Sequence, residues 1–140
     1  MVIVTKQVIA IVDDDDSVRE AVSGLVRSLG HAAVAFESGA ALLRSDARGS
    51  ISCMIADLQM PGMTGIELHQ HLIALGERVP TILITAYPNE SARERALQAG
   101  VKCYLSKPFS ASELLACIGS VLGHTFGEQD GREDQTGSVN

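Results

Sequence analysis

The sequence is poor in the features that most readily betray a function. Cationic residues are the minority: 11 lysines and arginines face 17 aspartates and glutamates, a formal net charge of −6. That balance is wrong for gripping a phosphate backbone, so no direct nucleic-acid binding is expected. No apolar run approaches the roughly 18 residues a membrane span needs, and no charged leader feeds an apolar one, so no membrane association is expected. The three cysteines, Cys53, Cys103 and Cys117, are odd in number, widely spaced and form no CxxC. They read as small core residues of a reducing cytoplasm, not as a disulfide framework or metal site. HExxH, GxxxxGK[ST] and GxGxxG are all missing, which leaves zinc-protease and nucleotide-binding chemistry without support. His69 and His71, two residues apart, would point to different helix faces. No internal repeat is visible.

What is present is an alternation. Short apolar runs at 8–12, 32–36, 51–56, 81–85 and 102–105 read as strands, and residues 8–12 and 81–84 are almost wholly apolar, as strands covered on both faces are. Helix-period segments lie between them. The first carries Val18, Ala21, Val22, Leu25, Val26 and Leu29 and closes at Gly30; the last carries Leu114, Leu115, Ile118, Val121 and Leu122 and closes at Gly123. Capping boxes are expected at Ser17/Glu20, Thr64/Glu67 and Ser110/Glu113, with Asn89 as a further N-cap. Asp15 and Asp16 fit a helix start, where the dipole favours negative charge. Five strands alternating with five helices imply a single doubly wound α/β domain over residues 1–123. The expected form is a flavodoxin-like (βα)5 fold with a parallel sheet in the order 2-1-3-4-5. Residues 124–140, glycine-rich and acidic with almost no large apolar side chain, are expected to be a disordered tail.

That topology gives the aspartates a meaning. Ligands of open α/β sheets bind beyond the carboxyl ends of the strands, at the point where strand order reverses. Asp13 and Asp14 end strand 1 and Asp57 ends strand 3, so three carboxylates converge on one crevice. Two such charges ~4 Å apart repel by about 4 kcal/mol at an effective dielectric of about 20. The site must therefore raise its carboxyl pKa values or take a cation. Hard oxygen ligands suit Mg²⁺. Thr85 ends strand 4 and Lys107 follows strand 5, adding a hydroxyl donor and a cation. The three aspartates and Lys107 sum to −2, which Mg²⁺ neutralises.

With these residues in order, the sequence resembles the receiver domains of two-component response regulators. The resemblance rests on Asp13–Asp14, Asp57 in "IADLQMPGMTGIEL", Thr85 in "ILITAY" and Lys107 in "YLSKPF", and it covers about residues 6–122. The separations are those of such receivers: 43 from Asp14 to Asp57, 28 on to Thr85 and 22 on to Lys107. The "VDDD…VR" start is most similar to receivers of regulators that drive transcription. The resemblance implies that Asp57 accepts a phosphoryl group from a sensor histidine kinase, a phosphotransfer protein or a small acyl phosphate such as acetyl phosphate. It implies that Asp13, Asp14, Asp57 and the backbone carbonyl of Gln59 hold Mg²⁺, that Lys107 binds a phosphoryl oxygen, and that the Thr85 hydroxyl swings onto another. Tyr104 would rotate inward as Thr85 moves, altering the face of the fourth helix, fifth strand and fifth helix for a downstream protein partner. The alternative for Tyr104 is plain packing with its hydroxyl in solvent. Gln59 and Tyr87 would flank the hydrolytic water and set phosphoryl lifetime. The Lys107–Pro108 bond would be cis.

The expected product is a phosphorelay switch, a monomer or phosphorylation-dependent dimer, not an enzyme beyond self-phosphorylation and slow self-dephosphorylation. The chain ends at Asn140 without a helix-turn-helix pattern, which favours a module without its own effector. The alternatives are the receiver half of a longer DNA-binding transcriptional regulator and an Asp-nucleophile phosphohydrolase. The latter would resemble the haloacid dehalogenases, in which a D-x-D motif supplies a second acid where this chain has Gln59. Gly65 is explained by close approach of the third helix, not by phosphate cradling.

Overall fold

Apolar strands flanked by amphipathic helices fold here as the alternation dictates. A computed structural model describes residues 7–123. The strands are β1 (Val8–Val12), β2 (Ala32–Phe36), β3 (Cys53–Asp57), β4 (Thr81–Thr85) and β5 (Cys103–Ser106). The helices are α1 (Asp16–Ser28), α2 (Gly39–Arg44), α3 (Gly65–Ala74), α4 (Glu90–Gln98) and α5 (Ala111–Gly123), with a 3₁₀ turn at Asp46–Ser50 before β3. All strand pairs are parallel and the order is β2-β1-β3-β4-β5, the flavodoxin-like arrangement.

Side chains alternate across the sheet, so each strand feeds two cores. Ala10, Val12, Met54, Ala56 and Leu83 pack with Leu68 and Leu72 of α3 and Ala92 and Ala96 of α4. Ile9, Ile11, Ile55, Ile82 and Ile84 pack with Val22 and Val26 of α1 and with Leu114 and Ile118 of α5. β3 and β4 are buried along their whole length, which is why their sequences run apolar without a polar alternate.

Several local expectations shift. β3 begins at Cys53 rather than at residue 51 and includes Asp57; β5 runs one residue later than expected at both ends. The first helix is capped by Asp15, not by a Ser17/Glu20 box. The Asp15 carboxylate accepts from the backbone N–H of Ser17 at 2.8 Å and of Val18 at 3.3 Å. A carboxylate is the stronger acceptor at the positive end of a helix, so it captures the cap and leaves Ser17 in the first turn. The boxes at Thr64/Glu67 and Ser110/Glu113 form with both reciprocal bonds, and Asn89 caps α4. Gly30 follows α1 at φ +88°, the left-handed position that suits a residue without Cβ. Leu29, expected on the apolar face, is 40 % exposed at the C-cap of α1, while Ser23 is buried. His69 is buried and His71 exposed, on different faces of α3. Cys53 is buried, Cys103 and Cys117 are half-buried, and all three are free thiols. Among the described residues no helix is long and apolar enough to cross a membrane. The expected tail, 124–140, lies outside the described residues.

Candidate functional site

The parallel register delivers the polar residues to one end of the sheet. Asp57 is the last residue of β3 and pairs in register with Ile84; Asp13 follows β1, the neighbouring strand. Oxygens of Asp13, Asp14 and Asp57 all lie within 4.8 Å of one another. Asp13 is fully buried and Asp57 nearly so, whereas Asp14 is exposed. Three carboxylates meeting across a chain separation of 43 residues are an all-oxygen donor set, the kind that fits a hard divalent cation.

Lys107 supplies the opposing charge. Its Nζ donates to Asp13 Oδ2 at 3.2 Å and to Asp57 Oδ2 at 3.5 Å. Its backbone N–H donates to the Thr85 carbonyl at 2.7 Å, which ties the loop to the end of β4, and the Lys107–Pro108 peptide is cis. Burial pushes the Asp57 carboxyl above its ordinary pKa and the charge of Asp13 adds to the rise, while Lys107 opposes it. Burial alone would lower the Lys107 ammonium, but Asp13 and Asp57 together outweigh it and hold its pKa above the usual value, so it stays charged.

The other oxygens of the two acids are satisfied locally. Asp13 Oδ1 accepts from Asp15 N–H at 2.9 Å, and Asp57 Oδ1 accepts from Gln59 N–H at 3.3 Å. Asp15 thus touches the cluster through its backbone while its carboxylate caps α1. Thr85, at the end of β4, donates its hydroxyl to Gln59 Oε1 at 2.6 Å and accepts from Tyr87 N–H at 3.0 Å. The Tyr87 ring is 72 % exposed. Tyr104 on β5 packs against the α3/α4 core; its hydroxyl is buried without a partner, not in solvent as the packing alternative had it.

Sequence reading passed over Arg19. From the first turns of α1 its guanidinium donates to the Asp13 backbone carbonyl at 2.6 Å and pairs with Asp16. The i, i+3 spacing of Asp16 and Arg19 was a signal, but it marks a helix-surface pair and not a contact to the site.

A doubly wound five-stranded domain with an acidic triad, a hydroxyl and a lysine at its strand ends defines a class of receiver domains. Residues 9–119 match the response regulator receiver domain, and the chain belongs to that family. It is 38 % identical over 115 residues to the response regulator protein TodT of Pseudomonas putida, covering 82 % of this chain and 51 % of that protein. It is 33 % identical over 129 residues to the transcriptional regulatory protein FixJ of Azorhizobium caulinodans, covering 92 % and 61 %. Among solved structures, the response regulator StyR aligns at TM-score 0.78 with 36 % identity, covering 86 % of this chain and 61 % of that one. A receiver protein from Burkholderia phymatum aligns at TM-score 0.72 with 40 % identity, covering 84 % and 96 %. The chain spans about half the length of the curated relatives it matches first. One relative, 30 % identical, is named a DNA-binding transcriptional regulator, NtrC of Escherichia coli, so the expectation of no nucleic-acid contact finds no support for a whole protein of this kind.

Proposed function

We propose that this domain, residues 1–123, is a cytoplasmic phosphoacceptor switch of a two-component phosphorelay, with Asp57 as the acceptor. An oxygen of Asp57 attacks the phosphorus of a phosphohistidine on a sensor kinase or phosphotransfer protein. The P–N bond breaks as the P–O bond forms, and the imidazole keeps the electron pair and takes up a proton. Mg²⁺, held by Asp13, Asp14, Asp57 and the Gln59 carbonyl, supplies positive charge to the transferred group when bound. Lys107 stands ready to bind a phosphoryl oxygen, because it already spans Asp13 and Asp57. Thr85 offers its hydroxyl to another, with Tyr104 following on the α4-β5-α5 face presented to a protein partner. Gln59 and Tyr87 flank the approach of hydrolytic water and set the lifetime of the phosphoryl group. Phosphoryl transfer asks mainly for positioning and charge stabilisation, which these groups provide.

The observation that carries this reading is Lys107 set between the buried Asp13 and Asp57, with Asp14 at their edge. The test is incubation with Mg²⁺ and acetyl phosphate, read by intact mass. The wild type should gain about one phosphoryl group and the Asp57→Asn variant none; incorporation that survives the substitution refutes the assignment. Stoichiometric incorporation also separates a switch from a phosphohydrolase, which would turn over, and Gln59 cannot serve as that enzyme's second acid.

A second reading is favoured by one observation. Because the chain spans about half of TodT and 61 % of FixJ, which is named a transcriptional regulatory protein, this receiver fits as the regulatory half of a longer transcriptional regulator. A duplex-binding assay on the native gene product separates the two.

A further inference from the structure

The Thr85 hydroxyl is fully buried and engaged on both sides. Its oxygen accepts from the Tyr87 N–H at 3.0 Å, and its proton goes to Gln59 Oε1 at 2.6 Å. A threonine hydroxyl has one hydrogen, so it can serve a second acceptor only by giving up the first. Asp57, meanwhile, takes its bonds from the Gln59 N–H and from Lys107. Gln59 is held to the acceptor loop by that backbone bond, and its side chain crosses from the end of β3 to the end of β4.

We propose that Gln59 is a positioning residue that latches Thr85 in the resting domain and competes with a phosphoryl group on Asp57 for the Thr85 proton. The proposal rests on the phosphoacceptor reading above and concerns where Thr85 stands before the phosphoryl group arrives, a question separate from the path of the hydrolytic water. The two ends of the latch differ in what release means for them. Gln59 is exposed, at the head of the groove between α3 and α4 that Thr64, Glu67, Asn89 and Arg95 also line, so water takes over its amide. Thr85 is buried and its hydroxyl must find another acceptor. The oxygen of a phosphoryl group on Asp57 is that acceptor, and a bond to an ionised oxygen is roughly twice as strong as a neutral one. Phosphorylation therefore exchanges one partner of Thr85 for another, and the strength of the Gln59 bond is subtracted from the drive to switch.

The experiment is a four-protein cycle: wild type, Gln59→Met, Thr85→Val and the double variant. Each is titrated with beryllium fluoride in excess Mg²⁺ and followed by NMR. Methionine keeps the length of glutamine but removes its carbonyl, and valine keeps the shape of threonine without its proton. Gln59→Met should bind the phosphoryl analogue about two- to tenfold more tightly than wild type, the range a single neutral hydrogen bond supports. In the Thr85→Val background the same substitution should change nothing, a coupling that loss of mere loop packing would not produce. In the Mg²⁺-free protein the Thr85 methyl signal should move in Gln59→Met toward its analogue-bound position. Equal affinity in wild type and Gln59→Met, or an equal gain in both Thr85 backgrounds, overturns the latch alone. Failure of the wild type to bind beryllium fluoride at all overturns the phosphoacceptor reading and the latch with it.

Discussion

Lys107 faces two carboxylates at once, and at the scale of single residues this contact most constrains the site. Asp13 is fully buried, so its charge is tolerable only against a cation. The Lys107 side chain is 21 % exposed, close enough to the interior for its charge-assisted bonds to act with little screening. Replacing it in Lys107→Met should lower the stability of the Mg²⁺-free domain by roughly 1.5–3 kcal/mol, the range for hydrogen bonds to charged groups. Added Mg²⁺ should then raise the urea midpoint of the variant more than that of the wild type, because a cation replaces the missing charge. Equal Mg²⁺ shifts in the two proteins would mean that Lys107 does not balance the cluster. The five residues Asp13, Asp14, Asp57, Thr85 and Lys107 were legible because each ends a strand or follows one. The Thr85–Gln59 bond was not, since no spacing rule pairs residues 26 apart on neighbouring connections.

At the scale of elements, the start of α3 comes up close against the end of β3. A Cβ built on Gly65 would stand 2.6 Å from the Asp57 carbonyl oxygen and 2.6 Å from Leu83 Cδ2. Neither α3 nor β3 can yield without moving Asp57, since Gly65 N–H also bonds the Leu58 carbonyl at 3.1 Å. Gly65→Ala should therefore cost about 1–3 kcal/mol, as over-packing does, and should reduce acetyl-phosphate labelling of the folded fraction. Labelling and a urea midpoint equal to wild type would show that the helix moves away freely. The close approach was expected from the sequence, but its target, the carbonyl of Asp57, needed the packed helix to show it. The first helix teaches the converse. Ser17/Glu20 satisfies the capping-box pattern, yet Asp15 caps, because a local pattern does not rank two competing acceptors until the chain direction leaving β1 is set.

At the scale of the whole molecule, His69 joins three elements. From α3 its Nε2–H donates to the Ala99 carbonyl after α4 at 2.9 Å, and Nδ1 lies 2.8 Å from Thr81 Oγ1 at the start of β4. Burial lowers its pKa from 6.5, with a smaller contribution from Lys102, against the opposing effect of the Ala99 bond. The unfolded chain therefore takes up a proton that the folded domain refuses. Stability from this residue is complete above pH 6.5 and is lost as the pH falls through 6.5 toward the lower folded value. Urea midpoints at about pH 7.5 and about pH 5.5 should diverge more in the wild type than in His69→Gln, which has no titrating ring. Asp57, whose pKa is raised, contributes in the opposite sense, but it does so in both proteins and cancels from the comparison. Parallel pH profiles would remove His69 as the cause.

Apolar runs of four to six residues between helix-period segments determined, from the sequence alone, a parallel five-stranded sheet and its strand order, because right-handed helical crossovers leave few topologies. The same pattern placed the acidic triad, Thr85 and Lys107 at the carboxyl ends of strands, since side chains that break a buried apolar run emerge where the run stops. What the tertiary structure decided is which groups spend their hydrogen bonds on one another. Lys107 shares itself between Asp13 and Asp57, Arg19 turns to the Asp13 carbonyl, and Thr85 gives its only proton to Gln59. These choices depend on distances between strand ends that periodicity does not encode, and a difference of an ångström selects one acceptor over another.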